Sequence, residues 1–463
     1  MLHAAALGAG TACMGTVYAR CLKAAVGGVW TKLPAILSLS DPTLFIPAAC
    51  TTGGLLIGLL NVNLQGYTMP DLIGAQQSTN DAPGGADPAR FVLPVLCLSL
   101  LTSTFGFSVG PEAPMVVAGS LVGSAYARRV YGAADHAMAR TLAYAGAAGA
   151  LTTFIGMPLA GAIFVLEITR ASSGLNPEAY DAFTPAVLAS CVSMIVAKAI
   201  VAPTAAIGGH FSYATVGSAL TGRPMAAIAI GAGAVGAVLG RVFLAAVTAL
   251  KKPMWPQAAS EETCEVDRRW VCGPKTRHVL VKTTVGLAVG LLSLYFPQTL
   301  FWGEGSLQHV LDGQATPLTA VWPGLAESLT ARAVVDVTAP FASPGAALAV
   351  GAAKLSAIAL ACAGGFPGGI IFPLFFAASA IAHGFTALVP AVLMPVWVMS
   401  LMAATQAAVT RTPMATVFML GLSAAASVQL SVLLPPVIIA SYVGVWVSRL
   451  LSSKTFFPYK RVD

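Results

Sequence analysis

Long stretches of this chain alternate between apolar and small residues without interruption by charge. Thr43 to Asn63 and Phe91 to Val109 hold no charged residue, and Pro224 to Leu250 holds Arg241 alone. A membrane span takes about 20 such residues to cross a hydrocarbon core about 30 Å thick, so the pattern predicts a polytopic helical membrane protein. Two apolar runs fall short of that length. Only 13 residues lie from Met115 up to the pair Arg128-Arg129, and only nine from Leu374 up to His383. They read as half-helices.

Each short run is introduced by a glycine- and proline-rich segment, and the two segments match. Residues 106–114 read GFSVGPEAP and residues 365–373 read GFPGGIIFP. Two further matches occur in the same order: Leu7-Gly8-Ala9-Gly10 with Ile230-Gly231-Ala232-Gly233, and Met157-Pro158-Leu159-Ala160 with Thr412-Pro413-Met414-Ala415. This predicts a duplication, with a first membrane repeat over 1–220 and a second over 221–463. The loop 251–278 of the second half is rich in Lys and Arg, whereas its counterpart, Thr31 to Pro42, carries Lys32 alone. Basic residues concentrate in cytoplasmic loops, so the two loops are expected on opposite faces. That is the pattern of an inverted-topology repeat, with its substrate site near the midplane where the halves meet.

Proline is tolerated in the first helical turn because its missing N–H would be unpaired there anyway. Pro114 and Pro373 therefore mark helix starts. Each start exposes backbone N–H groups and the positive end of a helix dipole, worth about half a charge. Two starts meeting at the midplane would hold an anion without a full positive charge, weakly enough for the ion to leave. Glu112 lies in the first of them. A first-turn acid can simply complement the dipole, but a carboxylate in a dry midplane is costly unless it has a partner or a function; beside an anion site it can act as a gate.

Composition narrows the alternatives. Of 463 residues, 57% are hydrophobic and 9% charged, against about 25% charged in ordinary soluble domains. The formal net charge of +7 is not read as nucleic-acid binding, because Lys251, Lys252, Arg268, Arg269, Lys275, Arg277 and Lys282 cluster around one loop. An intramembrane enzyme is disfavoured: the six histidines are scattered, no H-E-x-x-H occurs, and Gly119-Ser120-Leu121-Val122-Gly123 lacks the G-x-S-x-G spacing. No motif asks for a cofactor or a metal. Cys264 and Cys272, in the basic loop, are expected as free thiols, and no cleavable signal peptide is expected at the N-terminus.

These residues resemble the CLC family of chloride channels and anion/proton exchangers, over essentially the whole chain through Tyr459, without the paired cytoplasmic domains of many members and without the family's first peripheral helix. Gly110-Pro111-Glu112-Ala113-Pro114 resembles the G-[KR]-E-G-P signature, which implies that Glu112 is the gating glutamate and that Gly110 lies at the anion; Pro111 and Ala113 depart from it. Gly369-Ile370-Ile371-Phe372-Pro373 resembles G-x-F-x-P, which implies amide donors from Ile371 and Phe372. Gly66-Tyr67-Thr68-Met69-Pro70 stands where the family has G-S-G-I-P, so that Tyr67 or Thr68 would supply the anion-coordinating hydroxyl. The pore-lining tyrosine would fall at Phe456 or Phe457, which lack it. Lys354 matches a basic vestibule position, with snorkelling to an interface as the alternative. Ile168 stands where the exchangers carry an internal proton glutamate, after Glu167, which is expected to be structural and to pair with Arg170.

Together these readings predict an all-α membrane protein of CLC type, a homodimer with one pathway in each subunit, embedded in a lipid bilayer and conducting an inorganic anion, chloride above all, as a passive channel. An anion/proton exchanger for chloride, nitrate or fluoride, and a family member that no longer transports, are the alternatives.

Overall fold

In the computed structural model the described residues are 1–39, 42–64, 87–169, 180–200, 223–255, 275–315, 333, 340–424 and 430–457. Fifteen helices are named here. In the first half they are α1 (Leu2–Gly27, continuing through a π-turn at Gly28–Lys32 to Leu33–Ile36), α2 (Pro42–Asn63), α3 (Ala89–Thr104), α4 (Glu112–Tyr131), α5 (His136–Ile155), α6 (Pro158–Ile168) and α7 (Phe183–Ile200). In the second they are α8 (Arg223–Met254), α9 (Lys275–Tyr295), α10 (Glu304–Leu311), α11 (Pro344–Ala363), α12 (Ile371–His383), α13 (Met394–Thr410), α14 (Pro413–Ala424) and α15 (Leu430–Leu451). Seven helical segments among the described residues are long and apolar enough to cross a membrane, Thr43–Asn63 and Pro224–Met254 among them. No strand longer than an isolated bridge is present among these residues.

The helices of the two halves pack by one plan. In the first, α5 lies against α1, α4, α6 and α7, while α1 also meets α3 and α7. In the second, α13 lies against α8, α12, α14 and α15, while α8 also meets α11 and α15. Two contacts join equivalent helices across the halves, α2 with α9 and α6 with α14, as a two-fold relation requires. The duplication read from three short motifs thus extends to the packing of the described helices. The division at 220/221 lies outside the described residues.

Lipid tails are as apolar as leucine, so helices in a membrane associate by close packing, with small residues at the contact. The α2–α9 pair does this: a Cβ on Gly290 would lie 2.6 Å from Pro47 Cα, and one on Gly58 2.8 Å from Val279 Cα. These glycines let the two backbones touch.

Two expectations need correction. The first half-helix is longer than its apolar run. Because α4 includes Glu112 and continues through Arg128 and Arg129 to Tyr131, it has 20 residues, about 30 Å at 1.5 Å per residue. Cations suit the last turn of a helix, so the arginines extend α4 rather than end it. Lys282 does not belong to the basic loop. It is buried within α9, and its ammonium donates to the carbonyls of Gly364 (3.1 Å) and Gly365 (3.0 Å) at the end of α11. The part of the loop at 256–274, with Cys264 and Cys272, lies outside the described residues, as does Arg170.

The packing makes a direct prediction. Gly290→Val is expected to wedge α2 from α9 and to cost about 1–3 kcal/mol, the usual penalty of overpacking, read as a lower melting temperature in detergent. Gly10→Ala, where a Cβ meets nothing within 4 Å, is expected to leave that temperature unchanged or higher; equal effects of the two substitutions would contradict the close-packed contact.

Candidate functional site

The two matched segments meet each other. Gly110 N–H donates to Gly369 O at 2.8 Å and Gly369 N–H donates to Gly110 O at 2.5 Å, an antiparallel bridge. These glycines occupy the same place in the two motifs. Equivalent residues bonded reciprocally and antiparallel are related by a local two-fold axis through the bridge, with opposite chain directions. The flanking residues keep the relation: Gly106 and Gly365 both have positive φ (83° and 71°), and Phe107 and Phe366 stack at 4.0 Å.

Beyond the bridge the chain enters α4 on one side and α12 on the other. Pro114 and Pro373 are each the third residue of their helix and have no N–H to offer. The fourth residues are already bonded, Met115 N–H to Pro111 O and Leu374 N–H to Ile370 O, both at 3.0 Å. Within the first turns, the donors without a partner in their own helix are therefore those of Glu112 and Ala113, and of Ile371 and Phe372. Two pairs of N–H groups and two dipole ends converge beside the bridge.

Glu112 fills that convergence. It is 1% exposed, and its carboxylate lies over Gly110 and Gly369, where a Cβ on either glycine would strike it. It faces the N–H groups of Glu112 itself and of Phe372, although neither oxygen makes a hydrogen bond of good geometry. The side chain occupies the space the two helix starts offer an anion, and holds it loosely. The bare glycines leave that space open.

The other expected site residues are placed as follows. Ile371 and Phe372 open α12 as expected. Ile168 is buried at the end of α6. Glu167 beside it accepts from Met414 N–H (3.1 Å) and Ala415 N–H (2.8 Å), so it caps the start of α14; its expected pair with Arg170 lies outside the described residues. A small pocket beside Ile371 and Phe372 is lined further by Ile155, Met157, Phe375, Met419, Leu420 and Ser423, with no titratable side chain. Phe456 and Phe457 share one apolar cluster with Ile371 and Phe372; Phe456 N–H is tied to Val409 O at 3.2 Å and its ring stacks on Phe243. Tyr67 and Thr68 lie outside the described residues.

Lys354 departs from its expected vestibule position. It is fully buried, and its ammonium donates to the carbonyls of Phe301 (2.7 Å), Gln298 and Thr299 (both 3.2 Å) and Leu300 (3.4 Å). It reaches neither a vestibule nor an interface. A buried cation needs compensating dipoles, and four carbonyls supply them. The segment it grips is bonded in turn to the first motif, by Phe301 N–H to Gly106 O at 2.9 Å and by Ser108 Oγ to Thr299 O. Lys354 thus braces, through the 298–301 segment, the first of the two matched motifs.

Two titratable residues near Glu112 were missed by the sequence reading. Tyr18 of α1 bonds Ser99 of α3 at 2.8 Å, and Glu304 at the start of α10 accepts from Trp302 Nε1 at 3.0 Å. Both interact electrostatically with Glu112. Gly303-Glu304-Gly305, an acid between glycines in an apolar region, repeats the signal that singled out Glu112.

The chain and its fold are similar to those of known proteins. Over 399 residues the chain is 26% identical to "Putative ion-transport protein YfeO" of Escherichia coli (strain SE11), covering 84% of this chain and 80% of that one. Its fold is similar to that of a slow cyanobacterial Cl−/H+ antiporter (TM-score 0.75, 17% identity, 98% of this chain and 95% of that chain). It is also similar to a CLC-type fluoride/proton antiporter (TM-score 0.67, 19% identity, 99% and 97%). The family model described as voltage gated chloride channel matches residues 49–449, both half-helix starts included, and this multi-pass membrane protein therefore belongs to the CLC family of anion-transport proteins.

Proposed function

We propose that this protein is a passive anion channel, with chloride as its principal ion, and that Glu112 is its gate. One observation carries the reading: the Glu112 carboxylate occupies the place where the N–H groups of α4 and α12 converge. A helix start binds anions through its free N–H groups and its dipole. A tethered carboxylate competes with a free anion for the same donors, so conduction requires it to leave or to lose its charge. Because the carboxylate makes no well-formed hydrogen bond, little opposes its departure.

The choice of a channel rests on the α6 side of the site. Ile168 is apolar, Glu167 is engaged in capping α14, and the pocket beside Phe372 is lined by no titratable group. That is poor ground for proton transfer. The second reading, an anion/proton exchanger, is favoured by the two antiporters of similar fold. Both half-helix starts come from one chain, which supports one pathway in each subunit of the homodimer implied by the resemblance, with loop 251–278 on the cytoplasmic face.

Two outcomes are expected. Proteoliposomes holding the protein release chloride without stoichiometric proton movement when internal pH is recorded alongside; uphill proton pumping driven by a chloride gradient would make it an exchanger. Glu112→Gln, which removes the competing charge, raises chloride efflux at neutral pH by about tenfold, corresponding to ~1.4 kcal/mol. Unchanged efflux from correctly folded Glu112→Gln would remove Glu112 from the gate, and no efflux from either protein would favour a non-transporting family member.

A further inference from the structure

A helix ends with carbonyls that its own ladder leaves without a donor, and the two helices that lead into the matched motifs, α3 and α11, end in the same way. The last residue of α3 is Thr104, and its carbonyl accepts from the indole N–H of Trp30 at 2.6 Å. The last residue of α11 is Ala363, and its carbonyl accepts from the indole N–H of Trp255 at 2.9 Å. Thr104 and Ala363 each stand two residues before the left-handed glycine that opens a motif, Gly106 or Gly365. The tryptophans also hold matching places, Trp30 in the π-turn that follows Leu2–Gly27 of α1 and Trp255 directly after α8. Neither falls within the three motif matches.

In each half a second donor completes the grip. The carbonyl of Gly106 accepts from Phe301 N–H at 2.9 Å, and the Phe301 ring meets the Trp30 ring edge-on at 5.3 Å. The carbonyl of Gly365 accepts from the Lys282 ammonium at 3.0 Å, and that ammonium lies 6.0 Å from the centroid of the Trp255 ring, within reach of a cation–π contact. From Leu360 to Gly365 every carbonyl has a donor. Leu360 accepts from Gly364 N–H, while Ala361 and Cys362 accept from Phe366 and Gly365 N–H in a Schellman turn. Ala363 is left to Trp255, and Gly364 and Gly365 to Lys282. On the other side, a Cβ on Gly106 would lie 3.0 Å from the Trp30 ring, so this ring also bounds the turn. A buried indole N–H needs a partner, but any carbonyl would satisfy it; both tryptophans take the equivalent one.

We propose that Trp30 and Trp255 are a matched pair of positioning residues for the anion site, each fixing the turn through which one motif leaves its helix. Four residues on from each turn glycine come Gly110 and Gly369, and the rings of Phe107 and Phe366 stack directly beyond the turns. A rotation at either turn is carried along this short tether to the Gly110–Gly369 bridge, and so to the spacing of the N–H pairs that open α4 and α12. The indoles act through the backbone, their own N–H groups being engaged. The proposal rests on the reading of the two helix starts as the anion site and holds for a channel or an exchanger.

The test is calorimetric titration of chloride into the full-length protein in detergent, in a Glu112→Gln background so that no carboxylate competes for the site. Trp30→Phe and Trp255→Phe keep an aromatic ring and delete the donor; each is expected to weaken chloride binding by about three- to tenfold, the range for loss of one hydrogen bond. Trp397→Phe is the control, since that indole is buried in α13 with its N–H unbonded, and it is expected to leave the affinity unchanged. A purely structural role would lower the melting temperature and leave chloride affinity alone. Unchanged affinity in either Trp30→Phe or Trp255→Phe therefore overturns the pair, as does equal weakening in Trp397→Phe. If the phenylalanine variants do not fold, replacing each indole by benzothiophene, which keeps the shape and puts sulfur in place of the N–H, decides: weaker binding supports the pair, and unweakened binding is contrary. A Glu112→Gln protein that binds no chloride removes the anion site and the positioning pair together, whereas chloride binding that neither variant alters removes the pair alone.

Discussion

The reciprocal hydrogen bonds between Gly110 and Gly369 are the constraint on which the rest depends. They fix two chain segments antiparallel at the centre of the molecule and set the starts of α4 and α12 side by side. Everything that gives the site its affinity is backbone: N–H groups that proline prevents from being multiplied, and dipoles aimed by helices whose far ends are embedded in packed protein. A site built this way has no side chain to lose its charge or to bind too tightly. Among the described residues, the Glu112 carboxylate is the ionisable group that lies over the bridge.

Around this centre several cations, buried or half-buried, are spent on backbone carbonyls. Lys354 holds the 298–301 segment, Lys282 holds the end of α11, and Arg241 and Arg411 both grip the end of α15, Arg241 by Ser448, Ser452 and Lys454 and Arg411 by Val445 and Ser452. The effect is chiefly to satisfy carbonyls at helix ends that have no partner within their own helix. Arg411 also shows how the halves have diverged: it occupies the left-handed helix end (φ 61°) that Gly156 occupies in the first repeat (φ 69°).

Much of this was readable in the sequence, for physical reasons. The span Thr43–Asn63 is set by the absence of charge, and the two helix starts by proline and glycine, whose backbone preferences are local. The duplication was readable because the three motifs are those in which backbone geometry, rather than a lipid-facing surface, restricts the residue. What escaped were interactions between residues far apart in the chain. Lys354 and Lys282 look like vestibule or loop residues until the carbonyls they meet, some 50 to 80 residues away, are seen. Glu167 beside an aliphatic residue gives no hint of Met414 and Ala415. Glu304 carried a local signal, acid between glycines, but its proximity to Glu112 is a product of packing.

The two lysines also bear on which helices are stable alone. Lys282 of α9 is satisfied by carbonyls at the end of α11, and Lys354 of α11 by carbonyls just after α9. Each helix carries the cation that the other's terminus neutralises, like a double clasp. An uncompensated lysine within a span costs up to about 2.5–3.5 kcal/mol, and here each helix meets that cost through the other. Neither ammonium has its carbonyls until both helices are in place, so α9 and α11 are stable as a pair rather than singly.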